Sequence, residues 1–297
     1  MSDAAATTST LATPTARSFT ANRLFPMLRA GLRTAETFSP TSAAARVAAR
    51  VFCTPVPTKL ATRHFRPPTG VRVESMPFEN ASLTLYRWPA PADAPMVLLT
   101  HGWGGWGLQM APLAEALAER GLAAVTVDQP GHGRSGAWHS TLAQFARALG
   151  YLGDRLGPLR GVVGHSMGGS SAAVALSRGL AAERLVTIAS PTDLVQVTRD
   201  YANAFGLRET TRQAMVRYLE AREAVVFEQM SAHRTAPRLA QPTLVVHDRA
   251  DTAVPLVEGL KLQALLPQAE LMLTDGLGHR RLLKEPAVTQ RVAAFLA

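Results

Sequence analysis

The chain has 297 residues, 47% of them hydrophobic and 18% charged, which is enough apolar material for a large core and too much for a disordered protein. Its formal charge of +9 would suit a nucleic-acid binder, but ten Arg or Lys against Asp3, Glu36 and Glu74 fall in residues 1–75, a balance of +7 that leaves only +2 for the rest. No apolar run reaches the ~18 residues of a membrane span, the single Cys53 excludes an intramolecular disulfide, and the eight histidines lack metal-ligand spacing, so no metal or cofactor is expected.

Residues 1–70 read as an N-terminal extension. Met1 to Ala16, rich in Ala, Thr and Ser, reads as disordered. Phe19 to Cys53 carries apolar residues at helical spacings (Leu24, Met27 and Leu28, then Val47, Val51 and Phe52), interrupted by Pro26 and Ser39-Pro40, and predicts two short helices that pack on the core. The arginine-rich, acid-poor start resembles a transit peptide and lacks the apolar stretch of a secretory signal; a cytoplasmic location is expected. The arginines are spaced singly, as on a solvated helix face, so nucleic acid is not an expected partner, while peripheral contact of this basic segment with an anionic membrane stays open.

From Val71 the period changes. Val71 to Pro77 and Leu83 to Trp88 predict a hairpin about Glu79-Asn80, giving two antiparallel edge strands. Strands and helices then alternate: Pro95 to Thr100, a helix near Gln109 to Arg120, Ala123 to Asp128, a helix near Leu142 to Leu156, Leu159 to Gly164, a helix Met167 to Arg178, and Arg184 to Ala189. Such alternation calls for an α/β fold with a mostly parallel central sheet flanked by helices. The alternation stops at about 191–241, where amphipathic helical sequence intervenes before strands Pro242 to His247 and Glu270 to Thr274. This insertion reads as a small helical cap, late in the chain, that selects substrate, with Leu194, Val195, Phe205, Leu207, Met215, Leu219, Val226, Phe227 and Met230 as residues to face it.

The candidate chemistry sits at strand ends. Val162-Val163-Gly164-His165-Ser166-Met167-Gly168-Gly169 puts a serine at an abrupt strand-to-helix turn, where flanking glycines relieve collisions and Ser166 projects as a nucleophile. The Met167 N–H, first in the following helix, and the Trp103 N–H of the loop His101-Gly102-Trp103-Gly104-Gly105 are the candidate oxyanion donors. Asp248, Asp251 and Asp275 all lie near strand ends as candidate acids, and His279 in Asp275-Gly276-Leu277-Gly278-His279 is the candidate base, in a flexible loop. His101, His132 and His165 read as structural, and Asp128 as a turn-stabilising carboxylate.

Together, His101-Gly102-Trp103, the turn Asp128-Gln129-Pro130-Gly131-His132-Gly133-Arg134-Ser135 and the Gly164 to Gly169 elbow resemble the α/β-hydrolase superfamily from about Val71 to Ala297. The resemblance implies the α/β-hydrolase fold and a triad in the order Ser166, Asp251, His279, the acid being chosen because Asp251-x-x-Val254-Pro255 follows the family's pattern. It also implies a serine hydrolase that cleaves carboxylic esters of small molecules through an acyl-enzyme. An acyltransferase or an amide or thioester hydrolase with the same triad, and a non-catalytic binding protein, are the alternatives; the oligomeric state is not legible.

Overall fold

The computed structural model describes residues 24–55, 58–62 and 64–297, so the expectation for Met1 to Ala16 lies outside the described residues. Helices α1 (Phe25–Phe38), α2 (Thr41–Phe52) and α3 (Thr58–Thr62) precede strands β1 (Arg72–Phe78), β2 (Ala81–Arg87) and β3 (Met96–Thr100). After α4 (Ala111–Ala118) come β4 (Ala123–Asp128), α5 (Leu142–Leu156), β5 (Leu159–His165), α6 (Met167–Ser177) and β6 (Leu185–Ile188). Then follow α7 (Leu194–Phe205), α8 (Glu209–Glu223), α9 (Ala232–Thr235), β7 (Thr243–Asp248), α10 (Leu256–Leu265), β8 (Ala269–Thr274), α11 (Gly278–Arg281) and α12 (Pro286–Leu296).

The eight strands form one sheet in the order β1-β2-β4-β3-β5-β6-β7-β8. The first two pairings are antiparallel and the rest parallel. Of the two hairpin strands, only β1 lies at an edge, the other edge of the sheet being β8. The hairpin expectation of two edge strands is corrected here, because β2 is also hydrogen-bonded to β4 from Thr84↔Asp128 to Arg87↔Val125. Every residue of β4, β6 and β7 is buried, the signature of parallel strands covered on both faces, and separate apolar clusters fill the two sides of the sheet. Among the described residues no helix is long and apolar enough to cross a membrane.

The N-terminal helices differ from expectation in two ways. Pro26 does not interrupt α1; it sits in its first turn, where the missing N–H costs nothing. Of the larger apolar residues, Leu28, Val51 and Phe52 pack against the core as expected, but Met27 is 65% exposed, Val47 44% and Leu24 41%. The most deeply buried positions are Leu32 on α1 and Ala44, Ala45, Ala48 and Ala49 on α2, because these small side chains let α2 lie close along α8. The Tyr201 hydroxyl of α7 donates to the Ala48 carbonyl at 3.0 Å, and buried Glu36 accepts the Arg208 N–H at 2.8 Å. The extension and α7–α8 therefore form one helical layer beside the C-terminal ends of β5 and β6.

Candidate active site

Strand β5 ends at His165, and Ser166 follows with φ 52° and ψ −125° before α6 begins. Such a backbone costs a non-glycine residue about 1–3 kcal/mol and persists only where its surroundings enforce it. The neighbours here do enforce it. A Cβ on Gly164 would lie 2.4 Å from the backbone of Gly168 and Gly169, and one on Gly168 would lie 2.5 Å from the His101 carbonyl oxygen. The loop after β3 comes equally close, since a Cβ on Gly102 would stand 2.7 Å from Cβ of Ser166. Trp103 follows Gly102 directly. The backbone N–H groups of Trp103 and Met167 make no backbone hydrogen bond within the described residues, so both remain available beside the serine.

This loop is braced from β4. His101 Nδ1–H donates to the Gly102 carbonyl at 2.7 Å while Nε2 accepts the Gln129 N–H at 3.0 Å. His132 repeats the arrangement, donating from Nδ1 to the Pro130 carbonyl at 2.9 Å and accepting the Gly104 N–H at 3.1 Å. A ring that accepts at Nε2 must keep a lone pair there, so both imidazoles are neutral. Burial pushes both below the ordinary imidazole range, His132 well below it. Asp128, fully buried, accepts the Tyr86 hydroxyl and the N–H groups of Gly107 and Arg134, as a turn-stabilising carboxylate does.

Of the three candidate acids, Asp251 reaches the histidine. His279 Nδ1–H donates to Asp251 Oδ2 at 2.8 Å, and Oδ1 accepts the N–H groups of Ala253 and Val254 at 2.8 and 2.9 Å. Burial alone would raise the Asp251 carboxyl; the His279 hydrogen bond and charge, with the two N–H groups, outweigh it and hold the carboxyl below its usual range. Asp275 is exposed. Asp248 is fully buried and meets no ring; it accepts Thr274 Oγ1 at 2.7 Å and the N–H groups of Ala250, Leu277 and Gly278 at 2.9, 3.0 and 2.8 Å. His279 itself lies in the single turn α11 and not in a flexible loop. Buried His247, which sequence reasoning passed over, donates from Nε2 to the Val254 carbonyl at 3.0 Å and so stiffens the Asp251 turn from β7.

Ser166, Met167, Trp103 and His279 line one cavity of about 130 Å³, with Asp251 behind the histidine. No hydrogen bond joins the Ser166 hydroxyl to His279 among the described residues; such contacts commonly close only around substrate. The remaining wall is mostly apolar, with Leu194, Phe227 and Met230 from the 191–241 segment and Phe52 from α2. Phe205, Met215 and Leu219, also expected to face substrate, are instead buried in the core shared with α1 and α2, and Val226 is 48% exposed. The helical period marked these residues as apolar but could not say which of two apolar surroundings each would enter. Phe52 was expected only to pack, and no local signal places a residue 114 positions before the serine in its cavity.

Solved structures share this architecture. A hydrolase from Pseudomonas aeruginosa PA01 is similar with a TM-score of 0.61 and 19% identity over 78% of this chain and 100% of its own. A membrane phospholipase A described as a bacterial virulence factor gives 0.59 and 19% over 94% of both chains. The thioesterase domain from the curacin biosynthetic pathway gives 0.55 and 19% over 76% of this chain and 99% of its own. At these identities the likeness is one of fold. Residues 97–292, from β3 into α12, match the alpha/beta hydrolase family, and the chain belongs to that family.

Proposed function

We propose that the protein is a serine hydrolase that cleaves carboxylic esters with an apolar acyl group, using Ser166 as nucleophile, His279 as base and Asp251 as its orienting acid. The observation that carries this reading is the 2.8 Å contact of His279 Nδ1 with buried Asp251, in a cavity that also holds the strained Ser166. With Nδ1–H given to Asp251, the lone pair of His279 is on Nε2, the atom a serine proton must reach.

In this mechanism Ser166 Oγ attacks the acyl carbonyl as its proton passes to His279 Nε2, and the carbonyl oxygen becomes an oxyanion held by the Trp103 and Met167 N–H groups. The positive end of α6 adds to that field. Collapse breaks the bond to the leaving alkoxide, which takes the proton from His279 and departs as the alcohol. Water then adds to the acyl-enzyme in the same way, its proton passing through His279 to Ser166 Oγ as the acid leaves. Throughout, the Asp251 carboxylate stabilises the imidazolium without accepting its proton.

The mostly apolar lining of the cavity, with Phe52, Leu194, Phe227 and Met230 beside Ser166, argues for an apolar acyl group. The phospholipase and thioesterase likenesses add lipid esters and thioesters to the substrates worth assaying. The test is hydrolysis of a nitrophenyl ester series by the wild type and Ser166→Ala. A loss on the order of a millionfold in kcat by the folded variant is expected, whereas substantial residual turnover overturns the reading. Adding a competing alcohol separates hydrolysis from acyl transfer, because a transferase replaces the free acid with a new ester.

A further inference from the structure

We infer that Asp248 and His165 are positioning residues that clamp the backbone on both sides of His279, an inference that rests on His279 being the base. On one side, the Asp248 carboxylate takes the N–H groups of Leu277 and Gly278, the two residues before His279, together with the Thr274 hydroxyl where β8 ends. On the other, His165 Nε2–H donates to the His279 carbonyl at 2.9 Å, and the two imidazole rings lie 4.7 Å apart at 44°.

The two anchors are rigid for different reasons. Asp248 is the last residue of β7 and is 0% exposed; its two oxygens satisfy four donors, three of them in the segment 274–278 that carries His279. Burial alone would raise this carboxyl, and the four donors together hold it below its usual range, so it stays an ionised acceptor. A buried carboxylate with that many donors costs far more to leave unpaired than a surface one, which fixes the loop strongly. His165 is the last residue of β5 and precedes Ser166. Its Nδ1 is buried without a partner and its ring is held neutral, burial and then nearby His279 pushing it down to about 3. Of the two neutral tautomers, only the one with its proton on Nε2 donates to the His279 carbonyl.

The consequence is positional. Although His279 belongs to a segment after β8, its carbonyl is tied to the strand end that presents Ser166, and its preceding N–H groups are tied to the strand that leads to Asp251. Triad members drawn from three separate loops thereby share two strand ends as a common reference. Catalytic groups held to within about 0.5 Å need support of this kind from their surroundings.

The experiment is the second-order rate of Ser166 labelling by a fluorophosphonate, measured in Asp248→Asn, His165→Leu, His165→Gln and His279→Ala, and in double variants with His279→Ala. Asparagine keeps the shape of Asp248 but presents an N–H donor towards N–H groups. Leucine removes the His165 donor, while the glutamine side-chain nitrogen can restore a donor near the position of Nε2. Asp248→Asn and His165→Leu are expected to slow labelling about 10- to 100-fold, by analogy with the outer hydrogen-bond partners of metal-bound histidines, with His165→Gln recovering most of the rate. In the His279→Ala background the same two substitutions should change the rate by less than about twofold, since a group acting through His279 has nothing left to position. Wild-type labelling by Asp248→Asn and His165→Leu alongside an inert His279→Ala overturns the clamp and leaves the base standing. Losses that persist undiminished in the His279→Ala background also overturn it, marking both residues as general fold supports. If His279→Ala labels at the wild-type rate, the base assignment itself is wrong. If Asp248→Asn does not fold, the His165→Leu and His165→Gln pair decides alone.

Discussion

Acidification from pH 7.5 to 5.5 should strip the protein of stability through three buried histidines before any carboxylate is protonated. His101, His132 and His165 are each at most 3% exposed and each is held below the ordinary imidazole value, burial being the largest cause in every case. An unfolded histidine titrates near ~6.5. Because the folded values are lowered, the unfolded chain binds more protons between the two, so the contribution is complete above pH 6.5 and is lost as the pH falls towards the folded values. For His165, held down to about 3, the loss between pH 7.5 and 5.5 is about 1.4 kcal/mol, and His132 and His101 add losses of the same sign. Even the His165 share is appreciable against the ~5–15 kcal/mol that holds a domain folded. The half-buried His139 is lowered too and adds a smaller effect of the same sign. Asp248, Asp251 and Glu258 are depressed carboxyls, whose contributions are lost only below the unfolded carboxylate values near ~4, outside this window. The assay is urea unfolding followed by fluorescence of the four tryptophans at pH 7.5, 6.5 and 5.5, at fixed ionic strength. The slope of unfolding free energy against pH counts the protons, and His165→Leu should reduce it by about one. A change below about 1 kcal/mol over the range would refute the reasoning, since it would mean that the rings are charged, or solvated, in the folded protein.

Three substitutions test the site itself. Asp251→Asn should lower kcat for ester hydrolysis by an amount approaching ~10⁴-fold, as when a triad carboxylate loses its charge, while Asp275→Asn, at an exposed position, leaves activity near wild type; the reverse pattern refutes the choice of acid. Gly168→Ala would put a methyl 2.5 Å from the His101 carbonyl oxygen and 2.6 Å from that of Thr100, so α6 must withdraw from the loop after β3. Fluorophosphonate labelling should then fall at least ~10²-fold, the cost of one lost oxyanion donor, and unaltered labelling would show that the elbow tolerates the displacement. Phe52→Ala should enlarge the cavity and raise the rate on long-chain relative to short-chain esters, while destabilising the fold by less than the ~3–5 kcal/mol of a fully buried phenylalanine. An unchanged chain-length profile would reduce Phe52 to packing against Tyr201, whose ring stands 5.0 Å away.

What could be read from the sequence was whatever the backbone decides locally. The strand–helix alternation, the glycines of the elbow and the loop after β3 belong to short segments whose geometry demands particular residues, and the structure brings those segments together. The N-terminal helices are harder to orient, because apolar spacing does not say which of the larger side chains turns inward. Met27 and Val47 are larger than Ala44 or Ala48, yet close approach of α2 to α8 rewards the small residue and leaves the large one outside.

The supporting groups are where sequence reading fails, and Asp248 is the clearest case. Three residues before Asp251, at the end of the same strand, it offers the same functional group at nearly the same place, and spacing alone treats the two as rivals for one role. The structure gives them different partners: Asp251 meets the His279 ring, and Asp248 meets the backbone that leads to that ring. The difference comes from donors 26 to 30 positions further along the chain, whose direction depends on how β8 pairs with β7 up to Asp248↔Thr274. That same pairing brings the carrier of His279 to Asp248. A register slip of one residue would therefore break both contacts at once, turning Thr274 away from Asp248 and moving His279 from Asp251. Strand pairing at the sheet's far edge is thus what converts two adjacent carboxylates into one that touches the candidate base and one that holds it.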